Sequence, residues 1–81
     1  MKKSVRITIE KETPKSTINS YQTAIEATET TTVAEFKTSV KESISIPFEM
    51  VKETLYNGSK ELKDVDVLPK FSGLEYVLLI K

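Results

Sequence analysis

Apolar and polar residues alternate near both ends of the chain. The alternation has a period of two in residues 5–9 and again in residues 74–80. This period is typical of a β-strand with one buried face. In the second segment the intervening residues include Val77 and Leu79, so this last strand is strongly apolar and is expected in the interior of a sheet.

A third alternating segment covers residues 21–27 and predicts another strand. Residues 11–20, between this strand and the first one, are polar and contain Pro14. We therefore predict a long hairpin loop there, which joins the first two strands.

The period changes in the middle of the chain, where apolar residues recur at spacings of three and four. This spacing places one apolar stripe on a helix. The stripe consists of Val33, Phe36, Val40 and, at its end, Ile44. Thr32 and Glu35 have the spacing of a capping box, in which each side chain accepts the backbone N–H of the other residue. The helix is predicted from about 33 to about 43, and Pro47 prevents it from continuing.

The C-terminal half contains further strand and turn signals. Residues 50–56 have the composition of a strand, and Asn57-Gly58 is a strong hairpin-turn signal because both residues tolerate positive φ. Residues 61–62 are expected in a short return strand. The apolar positions within 65–68 fit a short helical turn, and Ser72-Gly73 is expected to form a turn.

The order of elements is strand, strand, helix, strand, short strand, strand. It predicts a single α+β domain over residues 1–81, in which one helix packs across a mixed sheet of four to five strands. The last strand is expected beside the first, and helix and sheet share one core. The expected core residues are Val5, Ile7, Ile9, Ile25, Val33, Phe36, Val40, Ile46, Leu68, Leu74, Tyr76 and Leu78.

Composition argues against several classes of function. Twelve Lys and Arg residues balance 12 Asp and Glu residues, so the net charge gives no reason to expect nucleic acid or an anionic membrane as a partner. The chain contains neither Cys nor His, which removes thiol chemistry, the usual general base and the commonest zinc ligand. The carboxylate pairs at positions 10 and 12 and at positions 64 and 66 are expected to be solvated. We expect no enzyme, no cofactor and no metal site.

Targeting signals are also missing from the printed sequence. No apolar run reaches the about 20 residues that a membrane-spanning helix needs. The basic residues Lys2 and Lys3 are followed by alternation rather than by the apolar core of a signal peptide. We expect a monomer in the cytoplasm or nucleus.

Several segments, in their order and spacing, resemble ubiquitin and its relatives over essentially the whole chain. These are residues 32–37 for the capped helix start, Ile46-Pro47 after the helix, residues 55–58 for the third strand and its turn, and Leu68 followed by residues 74–78. The resemblance implies the ubiquitin-like β-grasp fold. Within that superfamily, residues 60–64 and 77–81 look most like the integral ubiquitin-like domains of ubiquilin-type shuttle proteins, and residues 32–58 look like that of tubulin-folding cofactor B.

The resemblance implies a protein-binding role in the ubiquitin–proteasome pathway or with chaperones. The sequence shown ends at Lys81 without the Gly-Gly tail that conjugated relatives use, so we expect non-covalent binding. One alternative is a modifier whose tail lies outside this sequence. Another is a free-standing, bacterial or designed β-grasp scaffold. The loop at 11–20 is longer than in ubiquitin. The stretch 62–68 is shorter than its equivalent in ubiquitin, so its structure is expected to differ.

In ubiquitin-like domains the usual binding surface is the outer face of the sheet. By position, the resemblance places Leu55, Val77 and Leu79 at an apolar centre on this face. It places Lys52, Lys60 and Arg6 on a basic rim, and the partner would be a proteasome receptor, a chaperone or another receptor of ubiquitin-like domains. Glu75 stands where ubiquitin often has a histidine, which disfavours the receptors that complement the basic surface of ubiquitin.

Each of these positions also has a purely structural interpretation. Val77 and Leu79 would also fit beneath a loop or terminus, and the lysines would also fit as solvated surface charge. Leu55 depends on strand register, since there is one extra residue between Pro47 and Gly58 relative to ubiquitin. If that residue lies in the turn, Leu55 points inward, and Thr54 and Tyr56 point outward.

Overall fold

The computed structural model describes residues 2–44, 49–69 and 73–81. In this part of the chain, five strands and one helix form an α+β arrangement. The elements are β1 (Lys2–Lys11), β2 (Ser16–Glu26), α1 (Val33–Ser43), β3 (Met50–Asn57), β4 (Lys60–Glu61) and β5 (Leu74–Ile80). The predicted order of elements and the predicted bounds of the helix are confirmed.

The five strands form one mixed sheet in the order β2-β1-β5-β3-β4. The two outer pairs, β1 with β2 and β3 with β4, are antiparallel, as is β3 with β5. The central pair, β1 with β5, is parallel. The apolar last strand therefore lies beside the first, as predicted, and α1 crosses one face of the sheet. This arrangement is compatible with a β-grasp fold.

The core lies between α1 and the sheet. Of the expected core residues, Ile9 is only partly buried, Ile46 lies outside the described residues, and the others are buried. Pro47, which was expected to end the helix, also lies outside the described residues. The helix contributes Val33, Phe36 and Val40, each with 0% exposure. The core also contains residues that the sequence did not predict, namely Ala27, Leu55, Leu62 and Ile80.

The capping box at the start of α1 is present as predicted. The backbone N–H of Glu35 donates to Oγ1 of Thr32 at 3.3 Å, and the backbone N–H of Thr32 donates to Oε1 of Glu35 at 3.1 Å. These two bonds fix the residue at which the helix begins, because they satisfy donors that would otherwise have no intrahelical partner.

The segment between β4 and β5 closes the rest of the helix N-terminus. The N–H of Val33 donates to the carbonyl of Asp66 at 2.8 Å, and the N–H of Ala34 donates to the carbonyl of Asp64 at 3.2 Å. The Lys37 ammonium, on the first half of the helix, also donates to Oδ1 of Asp64 at 2.7 Å. The free N–H groups of this helix end are thus occupied by the chain itself.

The helical turn predicted within residues 65–68 is not formed. The chain makes a hydrogen-bonded turn in which the N–H of Asp66 donates to the carbonyl of Lys63 at 3.0 Å, and Val67 then bridges to Thr32. Only Leu68 of this segment is buried, whereas Val65 is 82% exposed. The carbonyls of Asp64 and Asp66 accept the N–H groups at the start of α1. They are therefore not available for the hydrogen bonds of a helical turn within residues 65–68. Ser72, of the predicted turn before β5, lies outside the described residues.

The long loop predicted at residues 11–20 is mostly strand. β1 extends to Lys11 and β2 begins at Ser16, so the connecting turn is confined to residues 12–15. The ladder continues past a register shift at Ile9/Glu10. Polar residues form strand here because this part of β2 is exposed at the edge of the sheet, where a strand needs no apolar face.

Register within β3 decides which of its residues face the core. An irregularity between Met50 and Lys52 brings Lys52 opposite Leu79, and the ladder then pairs Leu55 with Tyr76. Leu55 is 0% exposed. The placement of Leu55 on the outer face was therefore wrong, and the alternative register, with Leu55 inward, is the one observed.

Candidate functional site

The sheet face opposite α1, called the outer face below, carries three rows of side chains. Each row crosses the three central strands β1, β5 and β3 in register. The rows are Glu10–Leu79–Lys52, Thr8–Val77–Thr54 and Arg6–Glu75–Tyr56. Successive side chains of a strand point to opposite faces, so the residues of these rows, which are every second residue of each strand, lie on the same side of the sheet.

A shallow depression of about 340 Å³ lies at the hairpin end of the outer face. Its floor contains Val77 and Leu79, both half-buried, and Thr54, which is 7% exposed. Tyr56 closes one side. The apolar centre is therefore partly accessible from solvent and is carried by the central strand of the sheet.

Charged side chains surround this centre with a definite polarity. Glu10 and Glu12 line the depression from β1 and from its extension into the turn, where the N–H of Glu12 still donates to the carbonyl of Ile80. Lys52 lines it from β3, and Lys15 lines it from the hairpin turn. The rim is therefore of mixed charge rather than uniformly basic: Glu10 and Glu12 lie on the β1 side with Lys15 of the adjoining turn, and Lys52 lies on the β3 side.

The structure brings together some of the predicted site residues and separates others. Val77, Leu79 and Lys52 all line the depression. Arg6 lies on the outer face but two rows away from Lys52, next to Glu75. Lys60 pairs with Asn57 at the start of β4 and does not line the depression.

Sequence reasoning missed several residues of the depression as members of this site. Thr54 and Tyr56 follow from the strand register that places Leu55 inward, so they were available as an alternative. Glu12 and Lys15 were not assigned to the sheet because residues 11–20 were expected to form a loop, and Glu10 was considered only as part of a solvated carboxylate pair with Glu12. The alternation of residues 5–9 extends to Glu10, and that signal identifies it as an outward-facing residue.

The helix-facing side of the sheet holds a polar cluster at the edge of the core. The hydroxyl of Tyr76 donates to Oε2 of Glu53 at 2.8 Å, and Oε1 of Glu53 lies 3.3 Å from the ammonium of Lys41. Burial, followed by the hydrogen bond and the charge of Glu53, raises the pKa of Tyr76 far above its ordinary value. A tyrosine held protonated in this way is a hydrogen-bond donor that joins β5, β3 and α1.

A second depression, of about 270 Å³, lies along the outer edge of β3 beside the Lys37–Asp64 ion pair. Its other charged residues include Glu61 and Lys63. Asp66 is engaged as well, since its Oδ2 accepts the N–H of Lys63 at 3.2 Å. Asp64 and Asp66 therefore have local structural partners.

Within residues 2–44, 49–69 and 73–81, no group of three or more acidic side chains is arranged to hold a metal ion. The helix in these ranges is too short and too polar to cross a membrane.

No protein-family model matches the chain, and no curated protein matches it.

Proposed function

We propose that this chain is a non-covalent, ubiquitin-like protein-binding domain that recruits a partner protein through its outer face. The partner we propose is a receptor for ubiquitin-like domains, on the proteasome or on a chaperone. The observation that carries the proposal is the pair Val77 and Leu79, half-exposed on the central strand of the sheet and ringed by polar groups. An apolar centre within a polar rim is the general arrangement of protein interfaces.

The strand order supports the ubiquitin-like part of this proposal. Ubiquitin-like domains are expected to place the last strand between the first and the third, and β5 lies between β1 and β3 here. The capped start of α1 supports it too, since residues 32–37 carry the sequence resemblance and form the capping box. A fold hosts many functions, so the partner must be identified by binding.

The test is a titration of the isotope-labelled chain with purified receptors of ubiquitin-like domains, followed by nuclear magnetic resonance. Amide shifts should change at Val77, Leu79 and Thr54, and not on α1. The double variant V77A/L79A should bind at least about tenfold more weakly, because truncating central apolar contacts of an interface costs more than about 1 kcal/mol.

Val65→Ala is the matched control, since Val65 is an exposed apolar residue of the segment between β4 and β5 and does not line the depression. It should bind as the unmodified chain does. Shift changes centred on another surface, or equal binding by V77A/L79A, would reject the outer face as the recruiting surface. Leu55 is unsuitable for this test because its truncation perturbs the core.

A further inference from the structure

The first row of the outer face has opposite charges at its two ends. Glu10 lies on β1, Leu79 lies on β5 between them, and Lys52 lies on β3. Strands are spaced about 4.8 Å apart, so the backbones of Glu10 and Lys52 are about 10 Å apart, on opposite sides of an apolar residue. Neither Glu10 nor Lys52 forms an ion pair among the described residues, and both line the depression.

This polarity makes the outer face complementary to itself. Consider a second copy placed face to face, related by a two-fold axis that runs along β5. The axis exchanges the β1 side with the β3 side, so Glu10 of each copy meets Lys52 of the other. Residues on the axis meet their own equivalents, so Leu79 packs on Leu79 and Val77 on Val77. Symmetric contacts of this kind form closed dimers.

We propose that a second copy of this chain docks on the outer face in this orientation. The proposal rests on the proposed function in one respect, that the outer face binds protein, and it names the chain itself as one occupant. The two central residues bury their remaining exposed apolar surface, and two equivalent Glu10–Lys52 pairs set the orientation. The monomer expected from the sequence is then the species present at low concentration. A partner protein competes with the second copy for the outer face.

One other two-fold orientation on the same face has a less apolar centre. An axis perpendicular to β5 through Val77 would bring Glu10 opposite Arg6 of the other copy, but it would place the carboxylate of Glu75 over Leu79 and would leave Lys52 opposite Tyr56 rather than a carboxylate. The axis along β5 instead brings Glu75 towards its own equivalent, beside Arg6 on the neighbouring strand. Glu75→Gln removes this repulsion and should tighten the dimer.

Charge reversal tests the proposal with the pure chain at low ionic strength, where exposed charges are least screened. The measurement is sedimentation equilibrium over a concentration range that reaches the millimolar. The unmodified chain should associate to a dimer. E10K and K52E should each weaken the dimer about tenfold, because each replaces two attractive pairs by two repulsive pairs.

A double variant and a mixture of the two single variants make the test specific for the two-fold geometry. The double variant E10K/K52E should dimerise as the unmodified chain does, since both pairs are restored with inverted sign. An equal mixture of E10K and K52E should form heterodimers, although each variant alone is largely monomeric. The controls E42K and K60E reverse exposed charges on α1 and β4 and should leave the dimer unchanged.

The results separate this inference from the proposed function. Absence of a dimer at every concentration, or a dimer that is indifferent to E10K and K52E, overturns the self-docking. Either result leaves receptor binding by the outer face standing, because that is measured by titration with a receptor and by V77A/L79A. Conversely, if the chain forms the charge-dependent dimer but binds no receptor, the self-docking proposal stands and the proposed recruitment of a partner protein is rejected.

Discussion

Leu55 and Val65 are both apolar side chains in the C-terminal half, and their environments are opposite. Leu55 is 0% exposed and Val65 is 82% exposed. We expect Leu55→Ala to lower the free energy of unfolding by about 2–5 kcal/mol, because it deletes buried methyl groups and leaves a cavity. Urea denaturation followed by circular dichroism measures the change.

Val65→Ala is the internal reference for Leu55→Ala. It should shift the free energy of unfolding by no more than about 0.5 kcal/mol, as exposed substitutions usually do. Similar losses from the two variants would mean that Leu55 is not in the core and that the strand register described for β3 is incorrect.

Tyr76 combines complete burial with a hydroxyl that donates to Glu53. At neutral pH, Tyr76→Phe should cost about 1 kcal/mol of stability, since it removes one hydrogen bond and leaves Glu53 with Lys41. The raised pKa of Tyr76 adds a pH dependence. In the unfolded chain a tyrosine releases its proton near pH about 10, while the folded protein retains it.

The sign of this dependence follows from proton linkage. Above pH about 10 the unfolded state binds fewer protons than the folded state, so stability falls with rising pH by up to about 1.4 kcal/mol per pH unit from this group. Tyr76→Phe lacks this component. Urea denaturation at neutral and alkaline pH should show the advantage of the unmodified chain shrinking above pH about 10, and a constant difference would contradict the assignment.

For individual residues, the sequence predicted which residues form the core better than it predicted the face of the sheet on which a given side chain lies. The alternation of residues 5–9 and 74–80 determines which residues of β1 and β5 are buried, because the period of two admits one buried set. Leu55 was uncertain because one irregular position near Met50 inverts the face of every residue that follows. Residue type alone gives no sign of such an irregularity.

Among the elements, α1 depends on contacts made at its first turn. Thr32→Ala removes the hydroxyl that accepts from the N–H of Glu35, and we expect a loss of about 1 kcal/mol. Thr32→Ser keeps the hydroxyl and should retain most of the stability. Thermal unfolding of the two variants in parallel provides the comparison, and equal melting temperatures would contradict a role for the capping hydroxyl.

The segment between β4 and β5 is joined to α1 by the Lys37–Asp64 ion pair, whose two members differ in burial. The side chain of Lys37 is 10% exposed and that of Asp64 is 64% exposed. Asp64→Ala should cost about 1–2 kcal/mol because it leaves a buried ammonium without its partner, an effect reduced by the exposure of Asp64.

Lys37→Met should be the milder change of this pair. It keeps the apolar stem of the side chain in place and leaves Asp64 in water, so a loss within about 0.5 kcal/mol is expected. Chemical denaturation of both variants decides the order. A larger loss of unfolding free energy from Lys37→Met than from Asp64→Ala would contradict the expectation that the unpaired, buried ammonium is the more costly group.

Elements differ in how well local sequence defines them. The helix could be predicted within its observed bounds because apolar spacing, capping residues and a following proline agree. The extension of the first hairpin could not, since the residues of β2 near Ser16 are polar and exposed, and polar edge strands and loops share the same composition. Their strand structure comes from pairing with β1, which is a property of the sheet.

For the whole molecule, β5 is the element on which the fold depends most. It is flanked by β1 and β3, and four of its side chains have 2% exposure or less. A chain that ends at Gly73 should therefore show no cooperative unfolding transition by circular dichroism. A cooperative transition in that truncated chain would mean that the remaining strands close without their centre.

The charge pattern of the outer face is a property of the whole sheet. Pattern and resemblance identified Val77, Leu79 and Lys52, but the acidic side of the depression depends on how far β1 extends and on how β5 aligns with it. The charge polarity of the face therefore emerges from the register of three strands that are distant in sequence.

The parallel pairing of β1 with β5 also determines when the protein can fold in a cell. Translation delivers β1 before the other four strands and β5 after them, so the strand that belongs at the middle of the sheet is the last of the five to leave the ribosome. Until then, β1 and β3 have no common neighbour and the apolar side of α1 has no complete surface to cover. Folding of these elements is therefore expected to follow release of β5 from the exit tunnel, and the nascent chain is expected to need protection of its apolar segments until that moment.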